Sequence, residues 1–75
     1  GERVEVLSQR SIRDKLMCYF SQLAAKQGAS TFTLPFSMMD LADFLSVNRS
    51  AMVRELKSMR EDGLVAVNRR EITLL

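Results

Sequence analysis

The stretch Leu41-Ala42-Asp43-Phe44-Leu45-Ser46-Val47-Asn48-Arg49-Ser50-Ala51-Met52-Val53-Arg54-Glu55-Leu56 decides how this chain folds. Two helical patterns meet in it across a break too short to hold a strand. Upstream, Ser37 has the hydroxyl of a helix N-cap, and Asp40 stands at the position that answers the cap. Leu41, Ala42, Phe44 and Leu45 supply the buried side of the short helix that Ser37 opens. Ser46 and Val47 make the tight break, and Asn48 is a good cap for the next helix. That helix runs from Arg49 to about Asp62 and is stopped by Gly63.

Plotted at about 100° per residue from Arg49, the longer helix sorts into three arcs. Met52, Leu56 and Met59 fall at roughly 280° to 340°, the face that packs inward. Arg49, Arg60, Lys57, Ser50 and Arg54 fall at roughly 0° to 140°, with Val53 and Glu61 among them. Ala51, Glu55 and Asp62 lie near 200° to 240°. A basic arc on an arbitrary helix is ordinarily a solvated face. Two features favour another role here. The arc starts at the helix N-terminus, where Arg49 and Ser50 reach base edges while backbone amides face a phosphate. A short capped helix also precedes it across a turn of a few residues, the helix-turn-helix arrangement.

Working outward, a first helix spans Ser8 or Ser11 to Gln27, with Ile12, Leu16, Tyr19 or Phe20, and Leu23 on one face. Ser11 and Asp14 form a start resembling a capping box, and Gly28 sits where a left-handed C-terminal cap belongs. Thr31 to Phe36 is short, β-branched and aromatic, an edge strand because it carries Pro35. At the other end, Leu64–Val67 and Glu71–Leu75 are strand-like runs separated by Asn68-Arg69-Arg70. Asn tolerates the left-handed conformation that a tight hairpin requires, so a β-hairpin is the natural reading. Arg69 and Arg70 at the tip could lie along a phosphate backbone.

Composition excludes several classes of chemistry. The 75 residues form one small domain, with a formal net charge of +2, a sequence pI near 9.1 and 47% apolar residues. There is no histidine and one cysteine, which removes Ser-His-Asp and Cys-His pairs, His-ligated metals, internal disulfides and Cys₄ zinc sites. No metal or catalytic residue is assigned, and no apolar run approaches a membrane span. The chain reads as a cytoplasmic binding module rather than an enzyme. Cys18 is expected to act as a buried or half-buried small hydrophobe rather than a redox sensor. Met38 and Met39 cannot both face inward, so one of them is exposed.

The residues also resemble a known family. Leu7-Ser8-Gln9-Arg10-Ser11-Ile12-Arg13-Asp14-Lys15-Leu16 and Thr31-Phe32-Thr33-Leu34-Pro35-Phe36-Ser37 are similar to segments of the C-terminal DNA-binding domain of the Crp/Fnr family of bacterial transcription regulators. The most specific likeness is Leu41 to Leu56, followed by Glu61-Asp62-Gly63-Leu64-Val65. The resemblance implies an α+β winged helix-turn-helix: a three-helix core, a small antiparallel sheet and a C-terminal β-hairpin wing over residues 8–75. It places the recognition helix in the major groove of double-stranded DNA, in the geometry described for helix-turn-helix proteins. By position, Arg49, Ser50 and Arg54 are the base-contacting residues, Arg being able to bond guanine O6 and N7 bidentately. Ser37, Asn48, Lys57, Asn68 and Arg70 match positions on the sugar–phosphate backbone, and Arg69 joins them at the wing tip.

Three departures stand out. Ser50 replaces a frequent Glu, which leaves the half-site unassigned. Met38 and Met39 replace polar phosphate contacts after the Ser37 cap. Ser46 stands where Gly is common, implying some strain or a slightly altered turn. Residues 1–7 read as the linker remnant of a missing N-terminal sensor and dimerisation domain, whose effector the sequence does not identify. The resemblance implies a homodimeric parent, a monomeric fragment and contact with RNA polymerase, with no cofactor in this domain. The competing reading is a winged helix used for protein–protein contact through Met38 and Met39.

Overall fold

The computed structural model describes residues 10–75; the linker reading of residues 1–7 falls outside the described residues. Helix α1 spans Ile12–Gln27. The Ser11 hydroxyl accepts from the Asp14 amide at 3.0 Å, which satisfies one of the donors every helix start leaves open. At its end Gly28 takes a left-handed φ of 68°, and its N–H returns to the carbonyls of Ala24 and Ala25. Leu16, Tyr19, Phe20 and Leu23 are buried, so Tyr19 and Phe20 share the inward face and Ile12 is half-buried.

Helices α2 (Met38–Leu45) and α3 (Arg49–Glu61) follow the strand β1 (Thr31–Thr33). Ser37 and Asn48 cap them as their sequence positions require: Ser37 Oγ accepts from Asp40 N–H at 3.2 Å and Asn48 Oδ1 from Ala51 N–H at 3.0 Å. Between the helices Ser46 is left-handed, with φ 58° and ψ 45°. Its N–H and that of Val47 bond back to α2 carbonyls, and half-buried Val47 packs on the core. Gly63, at φ 76°, turns the chain out of α3 after the cap residue Asp62.

Strands β2 (Val65–Asn68) and β3 (Glu71–Leu74) form the hairpin, and β1 pairs with the other side of β3, giving the antiparallel order β1-β3-β2. Val65 lies opposite Leu74 and Val67 opposite Ile72. These four side chains share the face turned to the helices, while Ala66 pairs with Thr73 on the other. Among the described residues no polar or charged residue is buried. Phe20, Phe32, Leu16, Leu34, Leu41, Leu45, Met52, Met59, Ile72 and Val65 fill the centre. Beside them Tyr19, Phe36 and Phe44 join α1, the β1–α2 loop and α2, with ring centroids 4.9 to 6.1 Å apart.

Four expectations are corrected. The strand expected over Thr31–Phe36 ends at Thr33; Pro35 lies beyond it, and Leu34 leaves the ladder by donating its N–H to the Arg70 carbonyl at 2.8 Å. Phe44 is half-buried rather than buried because it belongs to the aromatic trio at the edge of the core. The hairpin strands are each trimmed by an end residue, Leu64 and Leu75. Asn68 is not the left-handed turn residue. It closes β2 opposite Glu71, and Arg69 takes φ 57° instead. The apolar register forces this, since a one-residue slip would turn Val65 and Val67 outward.

Candidate nucleic-acid interface

Helix α3 leans on the rest of the domain along two of its three arcs. Met52, Leu56 and Met59 enter the core. The acidic arc meets α1, where Arg13 gathers it: Nε donates to Glu55 Oε1 at 2.5 Å, and Nη2 donates to Ser58 Oγ at 3.1 Å and lies 2.9 Å from Asp62 Oδ2. The hydrogen bond to Glu55, with that to Asp62 next, holds the Arg13 pKa above its ordinary value. The negative side chains of α3's second arc are therefore engaged on the protein side. Arg13 is a residue the sequence reading missed, because its partners lie more than 40 positions away.

The third arc stays open. Arg49, Ser50, Arg54, Lys57 and Arg60 are all exposed, and among the described residues the only ion pairs are those of Arg13. Arg49 and Ser50 occupy the first turn of α3, directly after the Asn48 cap. The cap uses Asn48 Oδ1, so the donor half of that amide is not consumed by it. Met52 N–H bonds to the Asn48 carbonyl at 2.9 Å, fixing the entry of the chain into the helix. Lys15 of α1 reaches the Leu45 carbonyl at 3.4 Å, placing a cation at the C-terminal end of α2.

An open groove of about 530 Å³ separates the C-terminal half of α3 from strand β2, with Lys57, Arg60 and Glu61 on one wall and Val65, Ala66 and Val67 on the other. Lys57 thus faces the wing strand as well as sharing the basic arc. Asn68, Arg69 and Arg70 are exposed at the end of the hairpin, beyond this groove. The Leu34–Arg70 backbone bond ties their turn to the β1–α2 loop. Ser37 caps α2 and lines neither α3 nor the groove. Met38 packs partly against the core and Met39 is 55% exposed, so the two methionines divide as expected. Cys18 is half-buried, as expected, and accepts a weak 3.7 Å bond from Gln22 Nε2.

The arrangement is a capped helix, held by its apolar and acidic arcs, that offers a basic arc outward beside a hairpin with an arginine tip. Such an arc suits a polyanion: exposed guanidinium and ammonium groups at helical spacing, with polar Ser50 and Asn48 between and beside them. No helix among the described residues is long and apolar enough to cross a membrane. No curated protein matches the chain significantly. A family model does match residues 14–75, which takes in α1 from Asp14 onward, α2, α3 and the whole sheet, and the chain accordingly belongs to the family of Crp-like helix-turn-helix domains, a DNA-binding fold of transcription regulators.

Proposed function

We propose that the domain binds double-stranded DNA sequence-specifically, with α3 in the major groove and the hairpin on the backbone. Arg49, Ser50 and Arg54 meet base edges, the two arginines favouring guanine O6 and N7. Asn48, Ser37, Lys57, Asn68, Arg69 and Arg70 meet sugar and phosphate, which sets register without reading sequence. The observation that carries this reading is the division of charge on α3: Glu55 and the cap residue Asp62 are drawn to Arg13 on the protein side, while Arg49, Arg54, Lys57 and Arg60 remain exposed and unpaired with any described residue, with Glu61 the one acid on their side. A merely solvated face gives no reason for such sorting.

The test is a fluorescence anisotropy titration of the chain with randomised and selected duplexes across a salt series. Binding is expected to weaken with salt, with a log–log slope of about 0.9 per phosphate neutralised. Arg49→Ala and Arg54→Ala should each cost about 1–3 kcal/mol on the preferred site and relax it there. Lys57→Ala or Arg70→Ala should weaken all sequences alike and flatten the slope by about one. Equal losses on every sequence from Arg49→Ala would overturn the base-reading role. A homodimeric parent acting in the cytoplasm, and contact with RNA polymerase, accompany this reading as consequences of the family resemblance.

A further inference from the structure

Val53 sits in the middle of the basic arc of α3 and is 53% exposed. It is absent from the residues that pack on the core. Among the described residues the other large apolar side chains this exposed are Met39, in the first turn of α2, and Leu75, at the end of the sequence, and neither lies on the arc. Nothing in folding favours valine here, because β-branched residues are poorer helix formers than Ala or Lys and an exposed one returns no burial. Its neighbours show what surrounds it. Arg49 and Lys57 lie one turn to either side at i−4 and i+4, Ser50 lies at i−3, and Arg54 follows directly. An isopropyl group is thus framed by the groups that the proposed function assigns to bases and phosphates.

We infer that Val53 is a specificity-determining residue that packs against the C5 methyl of a thymine in the major groove. The inference rests on the DNA-binding reading above and names part of its target. In that groove the thymine methyl is the one apolar feature on the edges of the four base pairs, and apolar side chains recognise it by contact. Guanidinium groups on both sides select guanine, so the preferred half-site pairs guanines with an adjacent thymine. Cytosine at the thymine position has only a hydrogen at C5 where the methyl should be, and its amino group, which stands where thymine has O4, finds no acceptor on an isopropyl group.

The experiment first selects duplexes from a randomised pool with this chain, and then replaces each thymine of the preferred duplex in turn by deoxyuridine, which lacks only the methyl. At one position the replacement should weaken binding about fourfold, or about 0.8 kcal/mol for one methyl. Val53→Ala should lose a similar factor on the thymine duplex and become indifferent to deoxyuridine at that position. Its circular dichroism and Tm should match the parent chain, since the site is exposed. Equal binding of thymine and deoxyuridine at every position, or undiminished methyl dependence in Val53→Ala, would overturn the inference while leaving DNA binding intact. No binding to any duplex at low salt would overturn both readings together.

Discussion

Arg13 of α1 and Glu55 of α3 are joined by a 2.5 Å charged hydrogen bond, and the same guanidinium reaches Ser58 and the cap residue Asp62, so one side chain grips three residues along a single face of α3 and its C-terminal end. Isolated surface ion pairs contribute little, but a planar fork meeting several acceptors on one face holds orientation as well as charge. Arg13→Ala should therefore lower Tm, and adding Glu55→Gln to it should lower Tm little further, which a double-mutant thermal cycle reads directly. Arg13→Lys should fall between, keeping the charge and losing the fork. The pKa of Arg13 is raised on folding, by Glu55 first. The stability it contributes is then fully present below the unfolded arginine value and lost only above the folded one. Alkaline titration from about pH 7 to pH 10 should leave the α1–α3 contact intact, and an unfolding transition in that window that vanishes in Arg13→Ala would contradict this.

How much of this was legible in the sequence depends on the distance over which each feature is determined. The caps at Ser11, Ser37 and Asn48 and the stop at Gly28 are local, and all four act where their residues stand. The inward face of α3 follows from helical spacing alone, and Met52, Leu56 and Met59 are its buried residues. Arg13 was missed because its partners lie across the fold. The hairpin follows from local signals, but its left-handed residue is Arg69 rather than Asn68, because asparagine's local preference yields to pairing of Val65 with Leu74 and Val67 with Ile72. On α3, helical spacing alone outlines the basic arc that the structure leaves exposed, while the engagement of the acidic arc is visible only with α1 in position.

Asn48 has two roles that different substitutions separate. As an N-cap it accepts from Ala51, and Asn48→Ala should cost about 1 kcal/mol of stability in urea titrations. Asn48→Asp keeps the acceptor and favours the helix N-terminus, so stability should hold or rise slightly. The same change places a negative charge at a proposed phosphate contact and removes the amide donor. DNA affinity should then fall on all sequences while Tm does not, and unaltered affinity would remove Asn48 from the interface.

Ser46 and Gly63 make a matched pair of left-handed positions, with φ of 58° and 76°. A side chain in that region costs about 1–2 kcal/mol, and glycine gives back about 0.5–1 kcal/mol through the entropy it loses on folding. Ser46→Gly should therefore stabilise the domain by up to about 1 kcal/mol. Gly63→Ala should destabilise it by about 1 kcal/mol, a purely conformational penalty, because a Cβ at Gly63 meets no atom within 4 Å. Chemical denaturation midpoints at unchanged m-value check both signs. A larger loss at Gly63 would mean that something other than backbone conformation is at work there.

Arg69 brings stability and binding into opposition at one residue. It takes φ 57° at the first central position of a two-residue hairpin turn, where glycine is the favoured residue. Its side chain is nevertheless exposed at the tip of the wing, where only a partner outside the domain could use it. Arg69→Gly should raise stability by roughly 0.5 kcal/mol, for the same reason as at Ser46. It should also weaken binding to every duplex alike and reduce the salt slope by about 0.9, the signature of one lost phosphate contact. Arg69→Asn supplies the control, since asparagine tolerates the left-handed region without the cation and should reproduce the binding loss. If Arg69→Gly stabilises the chain while leaving affinity and slope unchanged, the wing tip is turn chemistry alone, and the backbone contacts must be sought at Lys57 and along the groove beside β2.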